Sequence, residues 1–491
     1  MKRPVTWLLA IFTVIVLPGA ALPQDKPKQE PPKKQDEQEE LKKKAAEYRK
    51  EVTETRGMKY KTDVGVGLYS KDELLAFLKK EFEKEAPKEK VEMWAKVYRH
   101  FGLIPKDLDL YQAYLDLFGS AIAGFYHPKS KELRLIRAGD GDSESKAMEE
   151  QFEQMFGVKL EDVTLVHELT HAAQDQNFDL STLPMDGEEN DDMIAAMKGL
   201  IEGDASAVGW KWGLKDKYSL VIKAMNDSYK SGQLPGKAGA LPAYLRKTLA
   251  FPYGYGTDFV NDVLKNANED WTAIDKAFGE MPLSTEQILH PKKYYGGERD
   301  WPKDVTIKDV DKIADGWKRL ATNVHGEFVV GLLLDEHRAG SKADRKKARE
   351  GWGGDRYYVF EKGKDVCSIW YTNWDSKDDA VEFFDVAIKL LENKYKDVTP
   401  EKTDTKVTFS WKGGKAVIER KDADVLILDN VDDALAGKGA DLFGASAKTE
   451  LKKIERLKMI YHCPKHAEEK SHKVEKCDKC GAEMIKDEMK K

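Results

Sequence analysis

At 491 residues the chain is longer than one compact domain needs, so two or three folded units are expected. Charged residues make up 34% against 41% hydrophobic, and the formal net charge is -6, which suits a well-solvated protein and offers no basic excess for nucleic acid. Four cysteines in so long a chain exclude a disulfide scaffold.

Lys2 and Arg3 precede the apolar run Val5 to Leu17 and the small residues Gly19, Ala20 and Ala21. This order reads as a secretory signal peptide over 1–21, cleaved after Ala21, and predicts export to the periplasm or the outside of the cell. The run falls short of the ~20 apolar residues of a permanent span. An uncleaved anchor is the alternative, and no later segment is long and apolar enough to cross a bilayer. Residues 22–56 are dense in Lys, Glu, Gln and Pro, so a charged, disordered linker is expected there, with at most a solvated helix over Glu37 to Lys50.

The main domain is expected over 57–300. Leu74, Leu75, Leu78 and Phe82, then Val91, Trp94, Val97 and Tyr98, and then Leu108, Tyr111, Tyr114, Leu115 and Phe118 recur at helical spacing. Ala121 to Pro128 and Leu133 to Ile136, joined by Lys129-Ser130-Lys131, read as a hairpin.

The motif His167-Glu168-Leu169-Thr170-His171 follows. Two histidines four apart on a helix project from nearly one face, because four steps of ~100° overshoot a turn by only ~40°. Both rings can therefore reach one ion, and zinc takes imidazole nitrogen at about 2.0–2.1 Å. Asp162 or Thr164 is expected to cap this helix, and Val163, Val166, Leu169 and Ala173 to bury it. Glu168, beside the first ligand, is placed to take the proton of the water that the metal activates.

A hydrolytic zinc site needs a third protein ligand. A second helix from Asp191 to about Trp212 offers Glu202 within Leu200-Ile201-Glu202-Gly203-Asp204-Ala205. A carboxylate in so apolar a setting is costly unless it is paired or metal-bound. Asp204 is the candidate to orient a histidine. Candidates to stabilise a developing oxyanion are His290, Tyr253 and Tyr255, the tyrosines in an expected Gly-rich loop, with His127 on the hairpin behind them.

The segment His167 to Leu180, the later Leu200 to Ala205 and Ser284-Thr285-Glu286-Gln287-Ile288-Leu289-His290-Pro291 together resemble a family of exported bacterial and archaeal gluzincin-like metallopeptidases. The likeness covers about 120–300 and extends more weakly through Gly351 to Tyr357. It implies an α+β, mainly helical zincin-like domain with a short hairpin or sheet, His167, His171 and Glu202 as zinc ligands, and Glu168 as the base. A zincin edge strand takes an extended peptide by main-chain hydrogen bonds, so a peptide or protein is the implied substrate. One departure is Ser206, which stands where the thermolysin-like pattern has Asp. The alternative function is a non-catalytic zinc- or heavy-metal-binding protein, or an envelope protein with an inactive zincin fold.

A second, small α+β domain is expected over 301–450. It has helical stretches at Phe328 to Leu334, Lys342 to Glu350 and Asp379 to Leu391, and strands at Tyr357 to Phe360, Val366 to Tyr371, Val407 to Trp411, Ala416 to Arg420 and Val425 to Leu428. Cys367 reads as a core residue of one strand.

Residues 457–488 carry Cys463-Pro464-Lys465-His466 and Cys477-Asp478-Lys479-Cys480-Gly481. Two ligand pairs at this spacing match a tetrahedral Cys₃His site, a zinc-ribbon-like knuckle for a second zinc or another heavy metal, with His462 and His472 as spare ligands. The pattern resembles the heavy-metal-binding module appended to bacterial metal-handling proteins. Lys465 and Ala482 stand where that module has Met, which favours zinc over copper.

Overall fold

The computed structural model describes residues 34–454 except 122–123, 129, 138–142, 186–188 and 235, together with short stretches between 456 and 486. The expected signal peptide and the first part of the linker lie outside the described residues, and none of the described helices is long and apolar enough to cross a membrane. The chain is α+β.

The first departure from expectation is the linker. Lys34–Arg56 is a 23-residue helix, α1. Its Lys, Glu, Gln and Ala are good helix formers, and Leu41, Ala45, Tyr48 and Val52 form a stripe against Leu165, Val166 and Leu169. The mean polarity of the segment hides this stripe, which buries Ala45 and Val52 and leads to a fully buried Arg56.

β1 (Gly65–Tyr69), α2 (Lys71–Glu85), α3 (Lys88–His100) and α4 (Leu110–Ala121) follow. Ser70 starts α2 with a capping box to Glu73, and Leu74, Leu78 and Phe82 are its buried face. The hairpin is β2 (Gly124–His127) with β3 (Glu132–Ile136), in the register Tyr126 opposite Leu133. β1 joins β3 in parallel on the other side, so β2 is an edge strand.

After α5 (Ser143–Phe156) comes the motif helix α6 (Leu160–Phe178). Neither expected cap is used: the N-cap is Lys159, without a side-chain cap. The helix begins early enough to place Asp162 and Thr164 inside it, where Asp162 pairs with Lys44 of α1 and the Thr164 hydroxyl donates to the Leu160 carbonyl. The second helix, α7 (Asp191–Leu214), lies where expected, and its N-cap Asn190 accepts the Met193 N–H at 2.9 Å.

α8 (Tyr218–Ser231) leads to α9 (Ala243–Asn266), which contains Pro252, Tyr253, Gly254, Tyr255 and Gly256. The expected Gly-rich loop is therefore helix. Its glycines serve close packing rather than turning: a Cβ on Gly256 would stand 2.2 Å from the Gly199 carbonyl oxygen of α7, and one on Gly203 2.3 Å from that of Gly256. α10 (Thr272–Gly279), α11 (Thr285–Leu289) and α12 (Pro291–Tyr295) complete this part.

The C-terminal region runs β4 (Lys303–Ile307), α13 (Val310–Ile313), β5 (Lys318–Asn323), α14 (Gly326–Glu336), α15 (Lys342–Arg349), β6 (Trp352–Lys362), β7 (Asp365–Trp374), α16 (Lys377–Lys394), β8 (Glu401–Lys402), β9 (Lys406–Trp411), β10 (Gly414–Lys421), β11 (Asp424–Val431), α17 (Asp433–Ala436), α18 (Gly439–Ala445) and β12 (Ser446–Glu450). Each expected strand and helix has its counterpart, while the strands β4, β5, β8 and β12 and the short helices α13, α17 and α18 add to them. The larger sheet has the order β5-β6-β7-β11-β10-β9-β8, and β12 pairs with β4. Alternation divides its faces: Val359, Trp370, Ile418 and Ile427 join the apolar core that also holds Leu200, Phe251 and Phe328, whereas Phe360, Cys367, Ile369 and Leu426 pack in a second cluster. This region thus shares a core with the helices before it.

β13 (Tyr461–His462), β14 (Lys470–Ser471) and β15 (Ile485–Lys486) form a small sheet in the order β14-β13-β15. Cys480 is exposed, and the other expected knuckle ligands, Cys463, His466 and Cys477, lie outside the described residues.

Candidate metal centre

α6 and α7 bring His167, His171 and Glu202 to one point. The two Nε2 atoms are 3.0 Å apart, and each is 3.2 Å from Glu202 Oε2. All three side chains are buried. Tetrahedral ligands at about 2.0–2.1 Å from a zinc ion stand about 3.3 Å apart. The three separations are therefore those of one face of such a tetrahedron, and the group could hold a metal ion.

The charges agree. Burial alone raises the Glu202 carboxyl, yet His171 and His167 bring it down to about 2; burial alone lowers His171, yet Glu202 and then Glu168 carry it up to about 9. A buried carboxylate here is matched to positive charge.

Gln174, one turn after His171, fixes that ring. Its amide nitrogen donates to the Ile201 carbonyl at 2.9 Å and to Asp204 Oδ2 at 3.0 Å, so its oxygen is the atom 2.8 Å from His171 Nδ1. An oxygen there requires the proton on Nδ1, so Nε2, which faces Glu202 and His167, is the nitrogen that can give its lone pair to a metal ion. Asp204, expected from the sequence to orient a histidine itself, instead contacts Gln174, whose oxygen meets His171. The other oxygen of Asp204 accepts from Arg56 Nε at 2.7 Å.

Glu168 is buried beside the triad, and its Oε2 accepts the Tyr126 N–H of β2 at 2.8 Å. The Tyr126 hydroxyl donates to Asp175 at 2.8 Å, and Lys131 reaches the same carboxylate at 2.6 Å. The edge strand is thus pinned to the motif helix at the point where Glu168 stands.

Of the three main oxyanion candidates, Tyr253 alone is at the site. Its ring lies 6.4 Å from that of His167, and burial, then the Glu202 and Glu168 charges and a hydrogen bond to Glu202, push its phenol well up. Tyr255, two residues on, leaves the helix on the far side and packs on Phe251 and Phe328 at 5.3 and 5.7 Å. His290 caps α11 and stands 3.0 Å from the buried Glu327. His127 is occupied locally, its Nδ1 accepting the Ser130 N–H at 3.1 Å.

Residues 311–438 match the model of a family described as a domain of unknown function, DUF8575. No curated protein and no solved structure matches the chain. The matched stretch covers the large sheet from β5 through β11 and its helices, and leaves α6, α7 and α9 outside it.

A second acidic group, Glu286, Asp300 and Asp375, also converges. Its cation is already present, since Lys293 Nζ lies 2.6, 2.8 and 2.9 Å from the three carboxylates. A cavity of about 110 Å³ opens along α7, lined by Asp191, Ala195 and Lys198 and by Tyr98, Tyr244 and Phe328. Asp191, Ala195, Lys198 and Glu202 are spaced i, i+4, i+7 and i+11, so the cavity and the triad share one stripe of the helix. Gln174 was detectable in the sequence as the residue three after His171. Arg56 and the Tyr126 N–H carried no local signal.

Proposed function

We propose that the chain is an exported zinc-dependent hydrolase of the gluzincin type, acting on peptide bonds, with a zincin-like site built on α6 and α7. The observation that carries this reading is the convergence of His167, His171 and Glu202 at 3.0–3.2 Å with Glu168 next to them. Zinc bound there would lower the pKa of a water and polarise a carbonyl. Glu168 takes the proton of the attacking water and passes it to the leaving amine, and the Tyr126 N–H holds the carboxylate in place for both transfers. Tyr253 keeps its proton through the working pH range and donates to the developing oxyanion. The edge strand β2, outside the Tyr126 N–H that Glu168 takes, receives the substrate main chain, and the cavity along α7 takes one of its side chains.

The C-terminal cysteines and histidines form a separate heavy-metal knuckle in this proposal. The test is zinc content by difference between the wild type and His167→Ala/His171→Ala, together with cleavage of a mixed peptide library with and without chelator. The expected result is one zinc lost in the double variant, chelator-sensitive cleavage in the wild type, and Glu168→Gln that keeps zinc and loses turnover. Cleavage by Glu168→Gln at a wild-type rate overturns the mechanism; zinc without any cleavage favours the non-catalytic alternative.

A further inference from the structure

Arg56 is the last residue of α1, and its side chain is fully buried although the helix lies at the start of the described chain. The guanidinium stacks on Trp271 at 4.8 Å, with Asp204 of α7 at 2.7 Å on one side and Asp275 of α10 at 2.9 Å on the other. The contact with Asp204 continues inward. Arg56 Nε donates to Asp204 Oδ1, Asp204 Oδ2 accepts from Gln174, and the Gln174 oxygen accepts from His171 Nδ1. Four side chains from three helices thus form one line that ends on a ring of the proposed metal centre.

Each link has a chemical direction. Arg56 can only donate, so Asp204 Oδ1 accepts from it while Oδ2 is turned to accept from Gln174. Together with the Ile201 carbonyl, an accepting Asp204 draws the Gln174 amide nitrogen inward, and the Gln174 oxygen is thereby turned to His171. That orientation selects the tautomer in which Nε2 keeps its lone pair. With the guanidinium gone, Asp204 loses the donor that anchors its Oδ1 and can rotate away from Gln174, whose amide nitrogen is then held by the Ile201 carbonyl alone and whose oxygen is less firmly fixed on the ring.

We propose that Arg56 is a positioning residue for the ligand His171, and that docking of α1 completes the metal centre. The N-terminal helix is then part of the site rather than a spacer, and metal is held tightly only while this helix is seated. The inference rests on the metal-centre reading above.

The experiment compares zinc dissociation constants and cobalt(II) absorption spectra of full-length variants, with binding at the α6–α7 site counted by difference against His167→Ala/His171→Ala. Arg56→Met/Asp204→Asn removes both buried charges together, so the fold tolerates it better than either single change. Expected are zinc affinity 10- to 100-fold below wild type and a shifted cobalt d–d spectrum. Arg56→Lys restores most of the affinity. Asp275→Asn, which removes the half-exposed outer partner of Arg56 but leaves α1 seated and the line to His171 intact, binds zinc as the wild type does. A folded double variant with wild-type affinity and spectrum overturns the proposal, as does an equal loss in Asp275→Asn. If the wild type itself binds no zinc at these histidines, it is the metal-centre reading that fails.

Discussion

The glycine crossing of α7 and α9 makes Gly256→Ala a sharp test of how the site is held. An ordinary Cβ contact begins at 3.4 Å, whereas the new methyl would stand 2.2 Å from the Gly199 carbonyl oxygen and 3.0 Å from its Cα. The overlap is 3.4 − 2.2 = 1.2 Å. It falls on backbone inside a helix, so no side chain can swing aside and the two helices must separate. Overpacking of this kind costs about 1–3 kcal/mol, and contact with backbone puts this case near the upper end, about 3 kcal/mol. The same displacement moves Glu202, which sits on α7 between Gly199 and Gly203, away from His167 and His171. Urea unfolding followed by tryptophan fluorescence, with and without saturating zinc, measures both consequences: a lower midpoint without metal, and a smaller stabilisation when metal is added. Gly279→Ala is the control, since nothing lies within 4 Å of its Cβ position at the end of α10, and it should gain about 0.4–1 kcal/mol. A Gly256→Ala protein within about 0.5 kcal/mol of wild type would refute the close-crossing argument.

Other consequences are equally direct. Burial, then Lys394, hold the His100 imidazole at about 4 against the pull of Asp429, so the unfolded chain takes up a proton at 6.5 that the folded chain refuses until about 4. Stability is full above pH 6.5 and falls by about 3 kcal/mol as pH drops to 4; His100→Gln should flatten that limb in urea midpoints measured from pH 7 to 4, and an unchanged slope counts against it. Lys293→Met leaves Glu286 buried with two neighbouring carboxylates and should cost about 3–5 kcal/mol at pH 7, less at pH 4.5 where protons replace the ammonium; equal losses at both pH values would contradict this. Tyr253→Phe should retain zinc and lower kcat about 10²-fold, and a wild-type kcat would remove the hydroxyl from the reaction.

The sequence by itself determined the elements and the chemistry that repeats at helical spacing. The His167–His171 pair, the buried setting of Glu202, the hairpin over Gly124–His127 and Glu132–Ile136, and the principal strands of the large sheet follow from periodicity and residue type, which act within a few residues. The departures from local pattern share a cause. Helix α1 looked like a linker because its apolar stripe is thin, and the Gly254–Gly256 segment looked like a loop because glycine's use as a close-packing residue needs a partner helix to be visible. His290 and Tyr255 were candidates on residue type, and the direction in which each side chain leaves its helix sends them to Glu327 and Phe328 instead.

What only the tertiary structure decided is which distant groups meet. His167, His171 and Glu202 converge because α6 packs on α7, and Tyr126 reaches Glu168 because an edge strand lies along the motif helix. Arg56 reaches the same centre across 148 positions of sequence to Asp204. Spacing along a helix fixes which residues share a face, but contacts between helices depend on how whole faces fit, and no local pattern encodes that fit.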